Sequence, residues 1–356
     1  MKIAKLLVLG GLAVASGILG AQTQERQRIT DDAGFVLFFQ DVYVEQSNPD
    51  EIQADFQGNP LEGESRKQGI TFRMQRMQGS IRRTANDELR LKDANLSGNV
   101  RVTLGRTTAT PAHTLTTELV RVRDEGERTV VTAPQAFTLR GETGTQPYQV
   151  TGQGLTALFG AMGSEAPPLR QVTVERNARL TLTGNGGSNG MTAGRLVMTP
   201  ADKIMGVEAT GGVVLTRRAE NSQSRQNLTV TSPRITARID TSLRDVDQLR
   251  EARAPGEVTL RLEFMGNEPG KSERTSLLVT ATGRNLVLNG ATRTLTMSQV
   301  QTEGLRRAEG KSVFGTLKAD TLTITFDEQG EVKSLRMSGG PGTATVNESP
   351  EEPATP

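Results

Sequence analysis

His113 is the only histidine in the chain, so any Ser-His-Asp relay would have to run through it. The serine that fits by pattern is Ser188, in Gly186-Gly187-Ser188-Asn189-Gly190, a G-x-S-x-G match. That pattern activates a serine only on a sharp strand-to-helix elbow. Here it lies in a Gly/Asn-rich run between two strand-like segments and reads as a turn. Gly152-Gln153-Gly154 through Ala157 is spaced like a dinucleotide fingerprint, but no strand-helix-strand unit surrounds it. Acidic residues are scattered singly, so no carboxylate pair presents itself for acid–base work. Asp93, Asp202 and Asp327 read as turn residues. With no cysteine in the chain, a thiol nucleophile, a thiolate zinc site and a disulfide framework are all excluded. These residues lead us to expect a binding protein without catalytic residues, metal or cofactor. A hydrolase built on Ser188 and His113 is the third-ranked reading. Two arginine pairs, Arg217-Arg218 and Arg306-Arg307, are of the type that grips phosphate through a planar fork of donors. Their alternative reading is solvated strand ends.

The elements that must carry these residues are strands. In Val258-Thr259-Leu260-Arg261-Leu262-Glu263-Phe264 every apolar side chain falls on an even position and every polar one on an odd position. Successive side chains of a strand point to opposite faces, so one face is apolar and the other wet, as in antiparallel sheets. Leu322, Ile324 and Phe326 repeat the pattern with threonines between them, and Val100, Val102 and Leu104, and Ile235, Ala237 and Ile239, repeat it with Thr or Arg between. Short Thr-, Val- and Leu-rich runs with Gly or Asn-Gly punctuation fill the chain from about Ile70. Aromatic residues make up only 3%, with no Trp, which suits a thin two-layered β structure of aliphatic side chains better than a thick core. Lys+Arg 42 against Asp+Glu 40 leaves a net charge of +2, and nothing marks a nucleic-acid binder. The expected fold is all-β, an elongated antiparallel β-jelly roll of stacked hairpins.

Residues 1–21 read as an address. Lys2 and Lys5 precede the uncharged apolar run Leu6–Ala21, which is 16 residues long and short of the ~20 that span a bilayer. This is a secretory signal, cleaved after Ala15 or near Ala21, or else a short N-terminal anchor. Residues 22–69 read as a leader with one strand, Phe35–Val44, and a Gly/Pro/Glu-rich loop through Gly63. Residues 70–240 form a first β segment, in which Leu155–Met162 is a helical turn or a packed loop. Residues 241–254 read as a short helical linker, with Leu243, Val246 and Leu249 on one side. A second β segment covers 255–346, and the Pro/Glu-rich tail 347–356 is expected to be disordered.

Within these segments the chain repeats itself. Residues 315–346 run Ala319-x-x-Leu322-x-Ile324, then Asp327 and Gly330, then Val332-x-x-Leu335, Gly339-Gly340 and a valine strand. Residues 191–217 give a second version with Gly211-Gly212-Val213-Val214-Leu215, residues 279–300 a looser one, and Gly98-Asn99-Val100 an opening strand. This form resembles the OstA-like family of periplasmic lipopolysaccharide-transport proteins, the LptA/LptC group, in weak form over residues 90–346. The resemblance implies two sheets folded around a hydrophobic groove that receives acyl chains. It also implies a periplasmic, possibly inner-membrane-anchored location, and transfer of lipopolysaccharide-type lipid toward the outer membrane. Val258, Leu260, Leu262, Phe264, Leu322, Ile324 and Phe326 would then line the groove, with Arg217, Arg218, Arg306 and Arg307 at its rim against lipid phosphates. The implied partners are the lipid, other envelope transport proteins joined by β-edge pairing, and further copies of the chain. Read without the resemblance, the same apolar residues equally well close on each other as a sandwich core. The chain would then be a structural or adhesive β-repeat protein of the envelope with no lipid cargo.

Overall fold

The computed structural model describes residues 26–30, 35–48, 51–65, 69–83, 89–104, 113–143, 146–160, 169–184, 187–220, 224–240, 249–267, 274–308, 311–327, 332–340 and 344–350. Among them are 20 strands and no helix. The chain is all-β and antiparallel, consistent with the jelly roll expected from its period-two pattern. It forms two compact units, residues 1–142 with 149–176, and residues 143–148 with 177–356.

The first unit contains β1 (Gln27–Thr30), β2 (Phe35–Phe39), β3 (Asp41–Asn48), β4 (Glu51–Ser65), β5 (Ile70–Arg83), β6 (Leu89–Leu104), β7 (His113–Asp124), β8 (Arg128–Thr143) and most of β9 (Gln146–Gly160). β10 (Leu169–Gly184) begins in this unit and ends in the next. The second unit continues with β11 (Gly187–Ala193), β12 (Arg195–Ala201), β13 (Ile204–Glu220), β14 (Ser224–Asp240), β15 (Leu249–Asn267), β16 (Arg274–Asn289), β17 (Thr294–Ala308), β18 (Lys311–Phe326), β19 (Val332–Ser338) and β20 (Ala344–Pro350).

Several of the long strands carry a break in register. In the first unit the register slips between Gln57 and Leu61 of β4, Arg73 and Arg76 of β5, and Ser97 and Val100 of β6. In the second it slips between Thr210 and Val213 of β13, Thr231 and Thr236 of β14, and Ala254 and Glu257 of β15. Bulges bend a strand and add residues to one side of a pair. A one-residue slip also exchanges the two faces. In β14 the buried residues are Gln226, Leu228, Val230 and Ser232, then Ile235 after the slip, an even row followed by an odd one, and Asp240 beyond a second slip between Arg238 and Ile239. Met74 and Met77 of β5, and Met297 and Val300 of β17, mark the same change of phase. Each crease therefore bends the strand and resets its alternation, so both arms keep their apolar row inward. At the β13 crease Gly211 has φ 81°, a left-handed conformation that side chains disfavour. Its carbonyl accepts from the Gly194 N–H at 3.1 Å, and a Cβ on Gly211 would lie 3.1 Å from Gly194 Cα. The repeated glycines of the sequence thus mark bends within long strands, as well as turns.

Both ends of the pairing order share a design. β2 and β3 each pair with one arm of β4, and β19 and β20 each pair with one arm of β18.

Several expectations need correction. Residues 22–69 carry four strands, β1 to β4, instead of one. The Gly/Pro/Glu run read as a loop is β4, whose Gly58-Asn59-Pro60 supplies its bend. The unit boundary falls around 143–177, not at 241–254. Leu249–Ala254, read as the end of a helix, opens β15, with Ala252 and Ala254 buried and Arg250 and Arg253 exposed. Tertiary burial with period two overrides the helix propensity of Ala, Glu and Arg there. Residues 241–248 and the signal 1–21 lie outside the described residues. Within Leu155–Met162, residues 155–160 belong to β9. Residues 347–350 of the tail pair with Lys311–Phe314 as part of β20. Asp93 lies within β6 opposite Arg123 instead of in a turn.

Candidate functional site

Among the described residues, the predicted lining residues come together in the inward row of the second unit. On one arm, 213–220 of β13 pair with 225–232 of β14, 224–231 of β14 with 259–266 of β15, and these with 275–282 of β16. On the other, 321–326 of β18 pair with 294–298 of β17 and with β19. Val258, Leu260 and Leu262 are buried on the first arm, Leu322, Ile324 and Phe326 on the second, and Phe264 is half-buried. Their neighbours Thr259 and Arg261 are exposed, and Thr323 and Thr325 are half-buried. All seven predicted lining residues therefore face inward. Leu260, Leu322 and Ile324 are 0% exposed, so at this depth the interior is filled by the protein's own side chains.

Toward the rim the inward row changes character. Arg217 pairs in register with Leu228, which pairs with Leu262. That position puts an arginine in an aliphatic row. Its guanidinium carbon sits 5.8 Å from the ring centroid of Phe326 on the facing arm, a cation–π contact worth about 0.5–2 kcal/mol depending on desolvation. One rung further out, Gln226 pairs with Ala219 and Phe264 and is buried. The Val332 N–H of β19 donates to Gln226 Oε1 at 2.9 Å across 106 residues of chain. A buried amide is unfavourable unless partnered, and such a bond nets about 0.5–1.5 kcal/mol. Sequence reasoning missed Gln226, although a polar residue in phase with Leu228 and Val230 was its visible signal. Val332 as the donor had none.

The other predicted arginines are placed differently. Arg218 is exposed, opposite Asn227 on the outer face. There the Asn227 side-chain amide donates to Glu263 Oε2 at 3.2 Å, and Arg261 pairs with Glu263 at 2.6 Å. The Asn227 and Arg261 hydrogen bonds hold the Glu263 carboxyl below its ordinary range. Arg306 stands opposite Leu277 and Val313 in register, and Arg307 opposite Ser276 and Ser312. Their side chains lie outside the described residues. On the outer face of the other arm, Ile204, Arg238, Arg250, Glu251, Val287 and Asn289 line a shallow cleft of about 370 Å³, beside an Asp240–Arg250 ion pair at 3.0 Å.

Ser188 lies inside β11, paired with Thr183 and Arg218, and so sits on a strand instead of an elbow. His113 opens β7 opposite Leu104, and burial lowers its pKa. No group of three or more His, Asp or Glu able to hold a metal occurs among the described residues. A comparison with protein-family models matched none, and a search of curated proteins found no match.

Proposed function

We propose that this chain is a periplasmic carrier of lipopolysaccharide-type lipid, holding acyl chains in the interior of the second unit on their way toward the outer membrane. The observation that carries the reading is Arg217, a guanidinium in the inward row at the rim, stacked over Phe326 and next to an aliphatic interior. An amphiphile with an anionic head and saturated chains complements that arrangement: phosphate against the arginine fork, chains along Leu228, Leu262, Phe264 and Val279. Each buried CH₂ contributes about 0.8 kcal/mol, less the ordering of the chains. The resemblance of residues 90–346 to the OstA-like family points the same way. In this reading no catalytic step and no cofactor are involved. Partners join at the edges, because β3 at one end and β19 and β20 at the other have one strand partner each among the described pairings, and such edges template further strands.

One observation favours the alternative, a structural envelope protein without cargo: the complete burial of Leu260, Leu322 and Ile324. Photo-crosslinking decides between them. A crosslinker at Leu262 is expected to capture lipid in cells, and one at Arg261, on the opposite face, is not. Capture from neither position, with no lipid in mass spectra of the native protein, establishes the structural reading.

A further inference from the structure

We infer that the contacts Gln226–Val332 and Arg217–Phe326 form a releasable clasp between the two arms of the second unit, and that its opening controls entry to the interior. The inference rests on the ligand-binding reading of that interior. Nearer the crease the inward rows are mainly apolar, with Leu260, Leu322 and Ile324 at 0% exposure and Leu295 and Met297 at 1%; one polar contact crosses there, from the Thr302 hydroxyl to Met337 Sδ at 3.6 Å. At the rim the joining groups change to an amide, a backbone N–H and a guanidinium over a ring. Water can solvate the amide, the N–H and the guanidinium when the arms part, whereas it cannot replace apolar packing. The strand on the far side of the clasp is also weakly held. Among the described pairings β19 has β18 as its one partner, four consecutive residues of it, Lys333–Arg336, are exposed, and its register with β18 slips beside Phe326. Segments with few buried contacts are the ones that open locally below the global unfolding energy. Parting at this corner would uncover Phe264, Leu262 and Leu228 while leaving the buried Leu260, Leu322 and Ile324 nearer the crease in place.

The chain has no cysteine, so an engineered pair can lock the clasp without competing thiols. In the full mature chain, the oxidised Q226C/V332C pair is expected to slow uptake of 11-dansylaminoundecanoate at least tenfold, with dithiothreitol restoring the rate. Equal uptake rates in the oxidised and reduced forms overturn the clasp. A second measurement needs neither the ligand nor the disulfide. Hydrogen exchange at 332–338 is expected to be at least tenfold faster in Gln226→Ala than in the parent, with exchange at 258–262 unchanged and the thermal melt intact. Exchange at 332–338 that is unaffected by Gln226→Ala, or that matches 258–262 in the parent, also overturns it. If the exchange result holds and the dansyl probe binds no form, the clasp stands and the lipid-binding reading falls.

Discussion

The two units fold their strands by the same device and fill their interiors differently. In the first, Phe39 and Phe56 meet edge to face, with centroids 5.3 Å apart and planes at 76°. Leu37, Leu61 and Met74 pack around them in one cluster that draws on both sides of the β4 bend. In the second, the inward rows are mainly aliphatic, with Ser232 and Thr302 near the crease, and end in Arg217 and Gln226 at the rim. Interlocked rings fill volume with fixed geometry and offer no polar group to a ligand. An aliphatic interior closed by polar contacts can exchange its own partners for those of a guest. On the proposed reading, any cargo lies in the second unit.

The largest effect expected comes from charging the second interior. Ile324→Asp places a carboxylate at a position with 0% exposure, where an unpartnered charge is destabilising by several kcal/mol. Loss of the β-strand circular dichroism signal, or a much lower melting temperature together with loss of dansyl-probe binding, is the expected outcome. A variant that melts like the parent would mean that this interior is wetter than its burial indicates.

Next in size is the first interior. Phe56→Ala removes half of the aromatic pair and is expected to lower stability by about 3–5 kcal/mol, read from urea unfolding, without changing the affinity for the probe. A parallel loss of affinity would break the division between the units.

Smaller again is the rim. Arg217→Ala is expected to change stability by less than about 1 kcal/mol, within the range for such ring contacts, yet to weaken the anionic probe at least fivefold. Arg218→Ala, on the outer face, should leave both unchanged. Equal losses from the two variants would mean that charge alone matters, without the inward placement.

The smallest effects separate the units by pH. In the first, hydrogen bonds from Arg76, reinforced by its charge, hold the Asp55 carboxyl below its ordinary value of 3.8 against some desolvation. A depressed folded-state pKa stabilises above the unfolded value and is lost as pH falls through the folded one. Asp55→Asn should therefore flatten the stability profile below about pH 4. In the second, burial pushes the Tyr148 phenol up to about 12. A raised value stabilises below the unfolded pKa of about 10 and is lost as pH climbs toward the folded one. Ultraviolet titration should show one of the two tyrosines ionising late, and Tyr148→Phe should remove that step. A Tyr148 ionisation near pH 10 would place its phenol in water.

Period-two alternation determined from the sequence alone which face of each long strand turns inward, because neighbouring side chains of a strand must point oppositely. Val258 through Phe264 and Leu322 through Phe326 lie as that rule requires. Local composition misled wherever propensity and burial disagreed. Helix formers at 249–254 became strand because Ala252 and Ala254 had an interior to enter, and the Pro-containing β4 was a strand with its bend built in. The creases were half legible: their glycines stood out as repeats, but the change of phase from Ser232 to Ile235 looks like lost periodicity until the strand is seen to bend. What only the tertiary structure decided is the rim. Arg217 meets Phe326, and Gln226 meets Val332, across more than a hundred residues. Alternation can send a side chain inward, but the residue it meets there depends on the bend of every strand between them and on the cumulative register of the sheet.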